Sequence, residues 1–256
     1  MNSDLQMAPP PGTRVVVVGG CGGIGSVLIR ACVALGHRVA ALDLPRSIGV
    51  NPPPDGVLSI ELDATRAAEV TSALAEADHR LGGIDILVNL VGFVNRRARI
   101  EELSDDEWNA TIRGNLDSLT TICRRAIPIM QRSDAAAIVN VSSGTGVRPL
   151  AGGAAYAVAK AGVIALTKSV ALECAPKIRA NAVAPGIVQT AFLTGGTHNA
   201  DSGAPMPDLE AYKKTVPMQR LAEPIDIVGP ILFLASPAAG FINGQTLHVN
   251  GGALMP

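Results

Sequence analysis

The residues able to do chemistry gather in one stretch of this chain. It holds two tyrosines and five lysines among 256 residues, yet Tyr156 and Lys160 stand four apart. Chance placement gives about 0.04 such pairs, so the spacing carries information. Positions i and i+4 share a helix face. An ammonium there lowers a phenol from about 10 toward working pH and makes it usable as a general base. Upstream, a strand ends in Val141-Ser142-Ser143-Gly144. A Ser143 hydroxyl at a strand's carboxyl end can meet the tyrosine over a cofactor. A Tyr/Lys pair alone also suits a surface contact; Ser143 and a second motif turn the reading toward catalysis.

That second motif is Gly19-Gly20-Cys21-Gly22-Gly23-Ile24-Gly25. Five glycines in seven positions satisfy several phosphate-loop templates at once, so context decides. The loop follows the β-branched run Arg14–Val18 and opens a stretch, 26–35, with apolar residues at helical spacing. A helix N-terminus presents unpaired N–H groups and partial positive charge, and glycines let a pyrophosphate approach it. Asp43 ends the next strand, 39–42, where a carboxylate takes both ribose hydroxyls of NAD and repels the 2′-phosphate of NADP. Leu44 follows it, with no basic side chain to reverse that preference. The plain alternative is a tight turn beside a solvated aspartate.

These motifs need elements to position them. Strands are expected at 14–18, 39–42, 57–62, 84–88, 136–141, 178–183 and 245–249. Helices are expected at 26–35, 66–81, within 105–131, 154–174 and 223–235. Alternation of this kind predicts a single doubly wound (Rossmann) α/β domain over 14–256, with a seven-stranded parallel sheet and helices on both faces. Residues 45–56, carrying Pro45, Pro52, Pro53 and Pro54, read as a surface loop. Residues 1–13 read as a disordered tail. Residues 191–217, rich in Gly and Pro, follow a strand and read as a lid over the substrate.

Composition narrows the partners. A formal charge of −1 gives no reason to expect nucleic acid or an anionic membrane. No apolar run approaches the roughly 18 residues of a membrane span. Cys21, Cys32, Cys123 and Cys174 match neither a zinc pattern nor a redox pair, and no histidines pair at metal-ligand spacing, so no metal is expected. Cys21 reads as a small packed residue. A cytoplasmic setting follows. Arg96, Arg97 and Arg99 form a basic cluster, read as a solvated loop or subunit contact ahead of steering of an anionic substrate.

From Arg14 onward the chain resembles the classical short-chain dehydrogenases/reductases. The glycine loop resembles that family's Thr-Gly-x-x-x-Gly-x-Gly, with Val18 in place of threonine. Asn89-Leu90-Val91-Gly92 resembles Asn-Asn-Ala-Gly with two departures. Asp63-Ala64, Asn115-Leu116, Ser143, Tyr156, Lys160, and Pro185-Gly186-Ile187 through Thr190 match further family positions. The resemblance implies that Tyr156 moves the hydroxyl proton and Ser143 bonds the substrate oxygen. Lys160 would hold the nicotinamide ribose, and Asn115 a water chain. It assigns Gly19, Gly22, Gly23, Ile24, Gly25, Asp43, Asp63, Ala64, Asn89, Val91, Gly92, Pro185, Gly186, Ile187 and Thr190 to the cofactor, alongside Tyr156 and Lys160. Val94, Thr145 and Leu150 would meet substrate together with Ser143 and Tyr156. The expected activity is NAD-dependent interconversion of a secondary alcohol and a ketone by a homotetramer. 3-Hydroxyacyl-CoA dehydrogenase or 3-oxoacyl-carrier-protein reductase chemistry is the alternative, and a silent nucleotide-binding protein a more distant one.

Overall fold

The structure, a computed structural model, describes residues 6–194 and 208–256. Seven strands form one parallel sheet: β1 (Arg14–Val18), β2 (Arg38–Asp43), β3 (Leu58–Glu61), β4 (Ile86–Asn89), β5 (Ala136–Val141), β6 (Ile178–Pro185) and β7 (Thr246–Val249). Their order is β3-β2-β1-β4-β5-β6-β7. The chain winds outward from β1 to β3, crosses back to β4 and winds the other way. The carboxyl ends of β1 and β4 therefore diverge at a switch point, where such sheets bind ligands.

Both faces of the sheet are covered, so its strands are apolar throughout rather than alternating. In β1, Val15 and Val17 pack with Leu28, Ile29, Ile227 and Ile231 of α1 (Gly23–Ala34) and α8 (Pro224–Ala235). Val16 and Val18 face the opposite cluster. It holds Val70 and Leu74 of α3 (Ala67–Leu81) and Ile122 and Met130 of α5 (Ser118–Met130), with Val170 of α6 (Ala154–Cys174).

Three expectations are corrected. Residues 45–50 are helical (α2, Pro45–Val50), because Pro45 sits in the first turn, where its missing N–H costs nothing. Part of the expected tail is packed: Gly12 N donates to Gly36 O, and Ala238 N to Gln6 O. The His37 ring lies 3.0 Å from the Pro9 carbonyl through Nε2. Finally, α6 has the length and mean hydropathy to cross a membrane, which no apolar run was expected to have. Here it packs against β6 and carries Tyr156 and Lys160 into the site, as a core helix does.

The helix expected within 105–131 is broken. α4 (Asp105–Ile112) passes into a π-helical turn, Arg113–Asp117, before α5 begins. Asn115 explains the break. Its Nδ2 donates to the Thr111 carbonyl, the acceptor its own N–H would use in an α-helix. Within 191–217, Ala191–Thr194 form a 3₁₀ turn and Leu209–Thr215 the helix α7. Residues 195–207 of the expected lid lie outside the described residues.

Candidate active site

A cavity of about 850 Å³ opens along the carboxyl edge of the sheet, from the switch point to β6. At one end stands the glycine loop. Gly22 precedes α1, whose first-turn N–H groups face no carbonyl of their own helix. Close packing explains the glycines here. A Cβ on Gly25 would lie 2.3 Å from the Gly19 carbonyl oxygen and 2.7 Å from that of Gly20, and backbone cannot step aside. A Cβ on Gly23 would lie 2.5 Å from Thr190 Cγ2, so this glycine seats the loop after β6 against the helix N-terminus.

Asp43 closes this end. Its carboxylate accepts from Cys21 N and Leu44 N, both at 2.8 Å, and from the Ser47 hydroxyl. Burial pushes the Asp43 carboxyl up, and those three donors pull it back. Cys21 is packed, its thiol pushed up to about 11 by burial and the nearby Asp43. That suits a packed residue, since a reactive cysteine needs a low pKa and exposure. Asp63 and Ala64 line the same end; Asp63 accepts from Thr65 N at 2.9 Å and Thr65 Oγ1 at 2.7 Å.

The other end gathers Ser143, Tyr156 and Lys160. Ser143 leaves β5, where Ser142 Oγ donates to the Lys160 carbonyl at 2.7 Å and ties the strand to α6. Ser143 hydrogen-bonds to the Tyr156 hydroxyl. Its Oγ also accepts from Thr145 Oγ1 at 3.0 Å and Thr145 N at 3.3 Å, which fixes its direction. Lys160, 3% exposed, donates from Nζ to the Val141 carbonyl at 3.2 Å and stands 5.7 Å from the Tyr156 ring centre. Burial raises the phenol and the serine hydrogen bond opposes it, so serine is the counterweight where the spacing suggested the ammonium. Burial lowers Lys160 to about 8.

This depression predicts a pH signature. An unfolded lysine titrates near 10.4, so between about pH 8 and 10.4 the unfolded chain binds more protons than the folded one. Folded stability therefore rises with pH through that window; the raised Tyr156 opposes it only above about pH 10. Denaturant titrations should show the parent gaining stability over Lys160→Met from about pH 8 to 9.5. A constant difference would mean that Lys160 titrates as an exposed amine.

Most of the expected cofactor and substrate residues line this one cavity: Gly19, Gly22 to Gly25, Val91, Gly92, Thr145, Leu150, Pro185 to Ile187 and Thr190. Asn115 stands behind the wall rather than in it. Its Oδ1 accepts from Phe93 N at 3.2 Å, and a Cβ on Gly92 would meet Asn115 Oδ1 at 2.5 Å and Lys160 Nζ at 3.0 Å. Gly92 thus lets both side chains approach the turn. Two more expected residues are not in the wall. Asn89 is fully buried and turned inward, its Nδ2 donating to Asn140 Oδ1 at 2.7 Å. Val94 does not line the cavity. It follows Phe93, whose ring instead fills the space above Gly114.

The structure adds wall residues. Phe192 stacks obliquely 6.3 Å from the Tyr156 ring. Tyr212 of α7 accepts a hydrogen bond from Ile187 N at 3.3 Å. Both belong to the 191–217 segment, which the sequence marks only as a lid. Arg97 and Arg148 also reach the cavity. Arg148 carries no sequence signal beyond its place five residues after Ser143.

The cavity's lining fits a dinucleotide. A glycine cradle that a Cβ would fill meets a helix N-terminus, with a half-buried carboxylate one strand away. Comparisons agree. The family model described as enoyl-(acyl carrier protein) reductase matches residues 19–253. The 3-oxoacyl-(acyl-carrier-protein) reductase FabG of Vibrio harveyi is 34% identical over 253 residues, covering 95% of this chain and 98% of its own length. The structure titled short-chain dehydrogenase/reductase, glucose/ribitol dehydrogenase, from Brucella melitensis superimposes with a TM-score of 0.85 at 31% identity, over 97% of this chain and 99% of that one. A 3-ketoacyl-(acyl-carrier-protein) reductase from Brucella melitensis, complexed with NADH, gives 0.85 at 28% identity, over 96% and 99%. With its fold, its glycine loop and its Ser-Tyr-Lys cluster, the chain belongs to the short-chain dehydrogenase/reductase family.

Proposed function

We propose that the protein interconverts a secondary alcohol and a ketone with NAD as cofactor. The observation that carries this reading is the hydrogen-bonded Ser143–Tyr156 pair, with Lys160 beside it, in the same cavity as the glycine-loop helix. The nicotinamide, when bound, supplies the acceptor or donor of hydride. Gly19, Gly22, Gly23, Ile24 and Gly25 hold the pyrophosphate at the α1 N-terminus. Asp43 takes the ribose hydroxyls, Asp63 and Ala64 flank the adenine, and Ile187 and Thr190 meet the carboxamide end.

The chain's own groups manage the proton. Ser143, its hydroxyl directed by Thr145, bonds the substrate oxygen and places it against Tyr156. Tyr156 takes the alcohol's proton in oxidation and returns it in reduction. Lys160 holds the nicotinamide ribose, and its charge supports the phenolate once Tyr156 gives up its proton. Asn115 holds the turn at Gly92 and Phe93 against Lys160. Phe192 and Tyr212 cover the pocket from the 191–217 segment and keep water from the reacting carbon.

The names of two of these relatives favour 3-oxoacyl thioesters as the ketone, which keeps that alternative in play. Screening secondary alcohols and 3-hydroxyacyl thioesters with NAD and with NADP tests the proposal. Absence of reduced cofactor in every combination would defeat it.

We further propose a homotetramer in the cytoplasm. Four free thiols suit a reducing compartment. The surface of α6 exposes Val158 and Leu172, apolar side chains that a second subunit would cover. Sedimentation at micromolar concentration should give a tetramer, and a monomer there would contradict the assembly.

A further inference from the structure

Three arginines of the 96–99 segment divide into two kinds. Arg96 donates from Nη2 to Glu107 Oε2 at 2.9 Å, and Arg99 pairs with Glu101. Arg97, between them, faces the cavity and forms no ion pair among the described residues. A second guanidinium joins it. Arg148 lines the same cavity, is exposed, and forms no ion pair among the described residues.

Backbone contacts hold both close to the catalytic serine. Arg148 N donates to the Gly144 carbonyl at 2.9 Å, one residue past Ser143. Ala98 N donates to the Gly152 carbonyl at 3.1 Å, and a Cβ on Gly152 would lie 3.1 Å from that of Arg97. The 97–98 and 148–152 segments are thus stitched together, with Leu150 between them in the cavity wall. The glycine loop, Asp43 and Asp63 line the opposite end, so these guanidiniums do not serve the pyrophosphate. Asp208, another carboxylate of the wall, is engaged in capping α7, accepting from Ala211 N at 2.9 Å. Two guanidiniums with no ion pair among the described residues, at the mouth of an apolar-walled cavity, raise the local concentration of anions. Their forked donors match carboxylate and phosphate oxygens.

We propose that Arg97 and Arg148 together bind an anionic oxygen group of the substrate. This rests on the dehydrogenase reading and narrows it: the reacting carbonyl and a carboxylate or phosphate belong to one molecule. The arginines position that molecule with its carbonyl at Ser143 and Tyr156.

Two matched pairs of ketones, reduced with NADH, test this and separate the sources of charge. Acetoacetate against its ethyl ester isolates a carboxylate. Acetoacetyl-CoA against S-acetoacetyl-N-acetylcysteamine isolates the phosphates of a thioester carrier. In at least one pair the anionic member should be favoured at least about tenfold in kcat/KM, mainly through KM. The double variant Arg97→Gln/Arg148→Gln should erase that advantage while its rate on the neutral member stays within about twofold. No anionic advantage in either pair, or an advantage the double variant keeps, overturns the proposal and leaves the dehydrogenase reading standing. No turnover of any ketone defeats that reading instead. Calorimetric titration of acetoacetate and CoA into the protein loaded with NAD, which cannot reduce the ketone, then decides the arginines' role. Binding lost in the double variant supports it; equal binding, or none in the parent, overturns it.

Discussion

Tyr156→Phe should lose at least about a thousandfold in kcat while binding NADH as the parent does. The change removes one oxygen from a ring packed beside Phe192 and leaves its apolar contacts in place. What disappears is the hydroxyl bonded to Ser143, the group proposed to exchange a proton with substrate. A buried phenol raised by desolvation does not ionise spontaneously near neutrality. Its proton must move in concert with the reaction or under the influence of Lys160, and phenylalanine allows neither. Fluorescence titration of NADH separates the two effects. Equal loss of binding and turnover would mean that the hydroxyl serves to hold the cofactor rather than to move a proton.

The second large effect concerns the cofactor. The parent should prefer NAD over NADP at least about tenfold in kcat/KM, equivalent to about 1.4 kcal/mol. Asp43→Ala with Leu44→Arg should move the ratio at least about a hundredfold toward NADP. Asp43 occupies the backbone donors of Cys21 and Leu44. Deleting its carboxylate frees those two N–H groups, and the arginine adds a cation, so a 2′-phosphate meets donors where it met a half-buried carboxylate. Equal use of both cofactors by the parent would remove Asp43 from its role. An unchanged ratio in the variant would do the same.

The legible parts of the sequence were those where one interaction dominates. β1, β5 and α6 begin and end where the apolar pattern places them, because burial on both sheet faces leaves no competing register. The glycines of the loop were legible because a close backbone approach tolerates few residue types. The misses have local causes. Pro45 was read as a breaker, although a first-turn proline starts a helix. The π-turn at 113–117 depends on one amide capturing the Thr111 carbonyl, which no periodicity records. Asn89 sits in a strand buried on both faces, so its position at the strand end did not reveal that it turns toward Asn140. Arg97 looked like its neighbours until their partners were seen. The ion pairs of Arg96 and Arg99, and its own place in the cavity wall, set it apart.

The central claim is that hydride moves directly between substrate carbon and nicotinamide while Tyr156 handles only the proton. It is tested most directly with an alcohol that turns over with NAD, deuterated at its carbinol carbon and run in ordinary water. Mass spectrometry of the NADH formed should show one deuterium on the nicotinamide ring. NADH without deuterium, its hydrogen drawn from solvent, would contradict the account.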